Sequence, residues 1–131
     1  MNHPRFPIQK ELSAMARKLV LLTYNIKPGV DLKEYEEFTR TVDYPVFRQN
    51  PGIQSYANFV VRRNVRGEEW FKHFDLLFVD DFEAFHADGR LHFGDPVILE
   101  HAAEWRRRWG RDEATGWRTP VNILYADEIW G

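Results

Sequence analysis

The residues best suited to acid–base chemistry are His73 and Asp75, two positions apart in the segment WFKHFDLLFV. Alternate side chains of a β-strand share a face, so these two are expected to point the same way. Imidazole titrates near neutral pH and can give or take a proton, and a nearby carboxylate can orient the ring or remove a proton itself. We interpret His73 as the leading catalytic candidate and Asp75 as its partner.

Further polar side chains share that predicted face. They are Tyr24 in KLVLLTYNIK, and Tyr56 and Asn58 in IQSYANFVVR. A phenol hydroxyl can hold an enolate or phenolate oxygen, which makes both tyrosines catalytic candidates. Inward-pointing polar groups are costly unless they are hydrogen-bonded or hydrated. The cluster therefore indicates a polar-lined pocket, with a purely structural hydrogen-bond network as the alternative.

Aromatic residues are abundant, at 15% of the chain, with 10 Phe, 5 Tyr and 5 Trp. Large rings fill cores and interfaces, and they also stack on flat ligands. We expect most of them in the core or at an interface, and a few in a pocket for a small aromatic metabolite. The predicted substrate-binding residues are Phe38, Val42, Tyr44, Asn58, His86, Phe93 and Trp105.

The histidines His86 and His92 flank the turn at Gly89 and are expected near the pocket mouth, His92 as a further catalytic candidate. Together with Asp81 or Asp95 they would also suit a metal. No helix carries the His-x-x-x-His pair typical of zinc sites, so no metal is predicted.

The remaining candidates for chemistry either have a structural explanation or are motifs that the sequence lacks. His101 shares a predicted helix with Trp105 and is expected to pack or to face solvent. The sequence has no glycine-rich phosphate loop and no Gly-x-Ser-x-Gly nucleophile motif, so no cofactor is predicted.

Four strands and two longer helices would position these residues. Segments rich in β-formers and bounded by turn residues predict strands over residues 18–27, 53–62, 70–79 and 121–130. Asp31 and Glu34 form a capping pattern for a helix that should break near Asp43, before Pro45. A short helix is predicted after Asp80 or Asp81, ending at Gly89, and a longer one from Asp95 to about Arg108.

The order β-α-β-β-α-β is that of an α+β, ferredoxin-like fold with a four-stranded antiparallel sheet and helices on one face. The opposite face is also apolar. Its predicted members are Ile53, Ala57, Phe59 and Val61 on the second strand, and Phe74, Leu76 and Phe78 on the third. A sheet that is apolar on both faces needs cover on both. A homodimer, the dimeric α/β barrel, is the expected solution.

The length of 131 residues suits one domain over residues 17–131, with residues 1–16 as an N-terminal extension. A net charge of −2 argues against a nucleic-acid partner, and the absence of cysteine excludes disulfides and thiolate catalysis. The N-terminal segment lacks the apolar run of a signal peptide, and no stretch reaches the about 18 apolar residues of a membrane span. A cytoplasmic protein without a membrane partner is expected.

The stretch TVDYPVFRQNPGIQSYANFVVRR and the later block FDLLFVDDFEAF resemble the RedY/HapK-like proteins of prodiginine and related aromatic-alkaloid pathways. The resemblance is carried by Pro28-Gly29-Val30-Asp31, Asp43-Tyr44-Pro45, Arg48 and Pro51, and extends over residues 18–109. It implies a dimeric α/β barrel, and cyclisation of pyrrole- or indole-derived intermediates without a cofactor.

A more distant similarity runs to polyketide cyclases of the stress-responsive dimeric barrel type. Their FGD segment is matched by Phe93-Gly94-Asp95, and their pocket histidine on the third strand falls at His73. Their catalytic histidine before FGD falls near Arg90, with His92 two residues away, so their mechanism does not transfer directly.

The leading hypothesis is a cofactor-free cyclase or aromatase of secondary metabolism, an antibiotic or alkaloid pathway enzyme. It would close a ring in an indole-, carbazole- or pyrrole-type intermediate by proton shuttling and loss of water. A cofactor-independent monooxygenase of an aromatic metabolite and a non-catalytic metabolite-binding protein are the alternatives.

Overall fold

A computed structural model of the chain describes residues 16–87, 90–91 and 95–130. The predicted N-terminal extension lies outside the described residues except for Ala16. Among the residues described, no helix combines the length and apolar character needed to cross a membrane.

Four strands form one antiparallel sheet. They are β1 (Lys18–Tyr24), β2 (Ile53–Val60), β3 (His73–Val79) and β8 (Asn122–Asp127). Their order across the sheet is β2-β3-β1-β8, which confirms the ferredoxin-like arrangement. Two small hairpins pair β4 (His86–Ala87) with β5 (Arg90–Leu91), and β6 (Arg111–Asp112) with β7 (Trp117–Arg118). The second hairpin occupies a segment for which only a loop was predicted.

The four strands of the sheet are shorter than the sequence predicts, and for β1 the reason is that the backbone groups after its end bond outside the sheet. After Tyr24 the chain leaves the sheet: the amide of Asn25 donates to the Thr119 hydroxyl, and Lys27 donates to the carbonyl of Trp109. The strand predicted from residue 70 begins only at His73.

The helices are α1 (Leu32–Phe38), α2 (Tyr44–Arg48), α3 (Phe82–Phe85) and α4 (Pro96–Trp109), with a π-helical turn over Thr39–Asp43 between the first two. Both predicted N-caps are confirmed: Asp31 accepts from the amide of Lys33, and Asp95 from that of Val97. The prediction that α3 would extend to Gly89 was wrong, because strand β4 begins at His86.

The predicted helix break before Pro45 was wrong, since the chain stays helical to Arg48. The amide of Tyr44 bonds to the carbonyl of Thr39, five residues back, as in a π-helix. Pro45 then falls in the first turn of α2, where a helix needs no N–H donor. The wide turn thus accommodates the proline without ending the helical path.

The sheet face predicted to lie under the helices is the core face. Val20 and Leu77 from the sheet and Ile98 from α4 are fully buried there. One residue departs from the predicted alternation: a register shift between Ile53 and Ser55 places Ile53 on the core face, opposite Val79. The Arg48 guanidinium donates to the carbonyls at the shift, those of Ile53 and Gln54.

The opposite sheet face is apolar, as predicted, and partly open. Phe59, which is 43% exposed, stacks on Phe74 with ring centroids 4.8 Å apart. Leu124 on β8 pairs in register with Leu21 on the same face and is 47% exposed. Such a patch marks a surface suited to a partner.

Candidate functional site

Two buried carboxyl groups face each other between the sheet and the helices. Asp75 lies on β3 and is 5% exposed; Asp43 is the last residue of the π-helical turn and is 3% exposed. Buried carboxyls are unfavourable unless their oxygens receive hydrogen bonds. Every oxygen of this pair has at least one partner.

Tyr56 and Asn58, alternate residues of β2, bridge the two carboxyls. The Tyr56 hydroxyl lies 2.5 Å from Asp43 Oδ2 and 3.2 Å from Asp75 Oδ2. The Asn58 amide donates to Asp75 Oδ1 at 2.8 Å and to Asp43 Oδ2 at 3.1 Å. We call these four residues the carboxyl network. The sheet register fixes it, because Asn58 and Asp75 are direct cross-strand partners.

His101, on α4, completes the Asp43 side of the network. Its Nε2 lies 2.5 Å from Asp43 Oδ1, and the residue is 7% exposed. The imidazole stacks on Phe38 and meets Phe47 edge-on, so of the two alternatives left open by the sequence, packing or facing solvent, the structure shows packing. No local sequence pattern indicated Asp43 as its carboxylate partner. A histidine held by a buried carboxylate is the arrangement used in general acid–base catalysis.

On the Asp75 side, Trp105, Tyr35 and Tyr24 form a series of hydrogen-bond donors that ends at Asp75. We call these three residues the arm of aromatic donors. The Tyr24 hydroxyl donates to Asp75 Oδ1 at 2.9 Å and contacts the Tyr35 hydroxyl at 2.8 Å. The indole of Trp105 donates to the Tyr35 hydroxyl at 3.1 Å. Burial, reinforced by the nearby carboxyls, raises the pKa of Tyr24, Tyr35 and Tyr56 well above the usual value. These phenols therefore keep their protons and act as donors.

The surroundings of Asp75 favour its uncharged form at neutral pH. Burial, followed by repulsion from the Asp43 carboxylate, raises the pKa of Asp75 from 3.8 to about 8. The hydrogen bonds from Asn58, Tyr24 and Tyr56 act in the opposite direction but are outweighed. A carboxylic acid that stays protonated at neutral pH can give its proton to a ligand.

Both carboxyls and His101 open onto a cavity of about 500 Å³. This volume is within the usual range for small-molecule sites. The polar groups lie among apolar walls, so a ligand would be enclosed mainly by hydrocarbon and indole surface. The walls are formed by Leu22, Phe47, Leu99, Ala102, Trp105, Val121 and Ile123, with Arg106 and Thr119 as further polar members.

The structure places His73 apart from this cavity, on a smaller one of about 330 Å³. Its ring stacks on Tyr24, with centroids 5.6 Å apart, and meets Tyr35 edge-on. Burial lowers the pKa of His73, only partly opposed by Glu36, so the imidazole is neutral at neutral pH. His73 and Asp75 lie on the same sheet face, as predicted, but they line different cavities. The catalytic role of His73 therefore stays a prediction.

The other predicted site residues are distributed over several places. Tyr24, Asp75 and Trp105 line the larger cavity, and Tyr56 bonds to its carboxyls. The smaller cavity is lined by Tyr44 and Asn58, together with His73. His86 has a described backbone in β4, and His92 and Phe93 lie outside the described residues.

Phe38 and Val42 do not line the larger cavity. Phe38 is 4% exposed in the core, against His101 and Trp109. Val42 is 39% exposed in a surface groove beside Arg108.

Sequence reasoning missed Asp43 because the helical period changes. In an α-helix the apolar spacing of Leu32, Tyr35 and Phe38 continues to Val42, which is why Val42 and not Asp43 is among the predicted substrate-binding residues. The π-helical turn adds one residue, so Asp43 takes the inward position and Val42 turns outward. The available signal was Pro45, which requires an altered bonding pattern in a continuing helix.

The sequence of this chain matches the model of a known protein family. The family described as "REDY-like protein HapK" matches residues 18–107, more than half of the chain. The chain belongs to this family. The resemblance inferred from the residues is thereby confirmed, and the matched region contains every residue of the carboxyl network and His101.

Two solved structures share the fold of this HapK-family chain. The crystal structure of HapK from Hahella chejuensis superposes with a TM-score of 0.61 at 11% identity, covering 87% of this chain and 94% of that one. An ethyl tert-butyl ether D (EthD) family protein from Bacillus halodurans gives a TM-score of 0.53 at 17% identity, with 88% and 100% coverage. A search of curated proteins found no significant match. At these identities the two structures show the fold alone.

Proposed function

We propose that this protein is a cofactor-free cyclase or aromatase that closes a ring in an indole-, carbazole- or pyrrole-type natural-product intermediate. One observation carries the proposal: Asp75, a buried carboxyl with a raised pKa, and the hydrogen-bonded Asp43–His101 pair open onto the same cavity of about 500 Å³. An acid and a base on one bound molecule are what a dehydrating ring closure requires.

In the proposed reaction, the apolar walls hold a flexible aromatic precursor in a folded conformer, which brings its reacting atoms together. Ring closure leaves a hydroxyl and an acidic C–H on the new ring. The Asp43–His101 pair takes the C–H proton, its electron pair forms the new double bond, and Asp75 protonates the departing hydroxyl. The products are the aromatised ring and water, so no electron acceptor is consumed.

Family membership supports the choice of substrate class. The RedY/HapK-like proteins that the sequence resembles are associated with prodiginine and related aromatic-alkaloid pathways. The walls of the larger cavity, with the ring of Phe47 and the indole of Trp105, suit a flat heteroaromatic ligand.

The direct test incubates the purified protein with an open-chain precursor bearing an indole or pyrrole, while product and dissolved oxygen are followed together. We expect ring closure with loss of one water and no oxygen uptake. Stoichiometric oxygen uptake would show the cofactor-independent monooxygenase instead. Saturable binding without conversion would show a metabolite-binding protein.

The two histidines can be separated by matched substitutions. We expect His101→Gln to reduce turnover by about 10²–10⁴-fold, because it removes the group bonded to Asp43. His73→Gln should change turnover only a few-fold, because that ring lies behind Tyr24 on the smaller cavity. Steady-state kinetics decide between them, and the reverse order of effects would return the catalytic role to His73.

We also propose that a second copy of the chain covers the open sheet face, as in a dimeric α/β barrel. Leu124→Glu places a charge on that face and should convert a dimer to monomer in sedimentation velocity. Val65→Glu, at a position 83% exposed between β2 and β3, is the matched control and should leave the dimer intact. A monomeric wild-type protein would contradict the proposal.

A further inference from the structure

If Asp43 and Asp75 are both ionised, one of the two contacts that the Tyr56 hydroxyl makes with them has no proton and cannot be a hydrogen bond. Tyr56 has one O–H, yet its oxygen lies within hydrogen-bond distance of Asp43 Oδ2 and Asp75 Oδ2. A phenol donates once, and a carboxylate can only accept. With two carboxylates, one of these contacts would bring two lone pairs together. The geometry therefore requires one proton more than the tyrosine supplies.

We propose that Asp43, Tyr56 and Asp75 hold this additional proton in common, and that it moves between the two carboxyls through the Tyr56 hydroxyl. In one state Asp75 is the acid: its Oδ2–H donates to Tyr56, which donates to the Asp43 carboxylate. In the other, Asp43 Oδ2–H donates to Tyr56, which donates to the Asp75 carboxylate. Each state contains one carboxylate, one phenol and one carboxylic acid.

The arm of aromatic donors favours the state with the proton on Asp75. Trp105 donates to the Tyr35 hydroxyl, which leaves the Tyr35 proton for the Tyr24 oxygen. The Tyr24 proton is in turn directed at Asp75 Oδ1, so Oδ2 is the oxygen of Asp75 on which the shared proton can lie. Tyr24, Tyr35 and Trp105 thus act as positioning residues. On the other carboxyl, His101 bonds Asp43 Oδ1 and supports the negative charge there.

Four elements contribute titratable neighbours of the pair, and Arg106 of α4 also lines the cavity. The titratable neighbours are Tyr24 from β1, Tyr35 from α1, Tyr56 from β2 and His101 from α4. The raised pKa of Asp75 agrees with an extra proton on the pair at neutral pH.

If the proposed function holds, the shared proton would allow the acid and the base to be regenerated within the site after each turnover. After a turnover, Asp75 has lost a proton and the Asp43–His101 pair has gained one. Once that proton lies on Asp43 Oδ2, the oxygen that contacts Tyr56, a concerted transfer moves it to Tyr56 and the Tyr56 proton to Asp75 Oδ2, which restores the starting state. The acid and the base are then regenerated without a proton from solvent.

The test needs no substrate, so it stands or falls separately from the cyclase proposal. The protein is labelled with ¹³C at aspartate side-chain carbonyls, and the two buried resonances, assigned with Asp43→Asn and Asp75→Asn, are followed by NMR from neutral to alkaline pH. We expect the Asp75 resonance to move through a step near pH 8, and the Asp43 resonance to move in that same step because the two carboxyls share the proton. Full movement of Asp75 with a fixed Asp43 resonance would overturn the shared proton.

Substituting Tyr56 tests the path. In Tyr56→Phe we expect the Asp75 resonance to take the full change at a higher pH, because Asp75 has lost a donor, and the Asp43 resonance no longer to move with it. Tyr125→Phe removes the hydroxyl of a β8 residue that is 39% exposed and stacks on Phe82, and it should leave the common step in place. A common step that persists in a folded Tyr56→Phe would exclude Tyr56 as the path. If that variant does not fold, the wild-type titration still decides the main claim.

Discussion

Replacing Asp43 with asparagine is expected to reduce turnover by about 10²–10⁴-fold, the usual contribution of a general acid–base group. The substitution keeps the size of the side chain but removes the carboxylate that bonds His101 and accepts from Tyr56. The base of the proposed reaction is then lost. The measurement is kcat on the cyclisation substrate, with near-ultraviolet circular dichroism to confirm the native packing.

The control for Asp43→Asn is Asp127→Asn, which removes an exposed carboxylate paired with Lys18 on the surface. It should leave kcat unchanged. Because Asp43 and His101 act as a unit, the double variant Asp43→Asn/His101→Gln should lose little more activity than either single variant. Independent, multiplying losses would show that the two groups do not work as one pair.

Replacing Asp75 with asparagine is expected to remove both the acid and a pH dependence of stability. Asp75 has a raised pKa in the folded protein, about 8 against 3.8, so folding favours its protonated form. Its contribution to the free energy of unfolding is fully present below pH 3.8, and declines as pH rises towards 8. Above that pH the unfavourable buried charge is fully expressed.

The difference between wild type and Asp75→Asn isolates this effect, because the remaining groups titrate in both proteins. Urea denaturation at a series of pH values should show the wild type losing stability relative to the variant between about pH 4 and pH 8. Turnover of the wild type should also fall as pH rises through about 8, and the variant should be slower by about 10²-fold or more at neutral pH. Parallel stability curves would show that Asp75 is ionised in the folded protein.

The part of the site that lies on the sheet could be predicted, because alternate side chains of a strand point to the same face. Two-residue alternation placed Tyr24, Tyr56, Asn58 and Asp75 on one face, and the structure joins all four by hydrogen bonds. The same rule assigned His73 to that face correctly but could not place it along the strand relative to the helices. It failed for Ile53, where the register shift exchanges the faces.

The part of the site that lies on the helices could not be predicted from local periodicity. Asp43 reaches the cavity only through the π-helical turn, and a pattern with a period of 3.6 residues assigns its position to Val42. His101 was assigned to the last predicted helix beside Trp105, yet its partner lies 58 residues earlier in the chain. No local pattern connects residues so far apart.

The sequence by itself determined the element order, the core face of the sheet, the helix caps and the family, since these depend on local periodicity and on short motifs. The tertiary structure alone decided which polar groups share a cavity. Packing α4 and the π-helical turn onto the sheet brings Asp43 and His101 together with Asp75, and burial raises the pKa of Asp75. Proximity and desolvation, the two causes of the proposed chemistry, arise only when these elements are packed together.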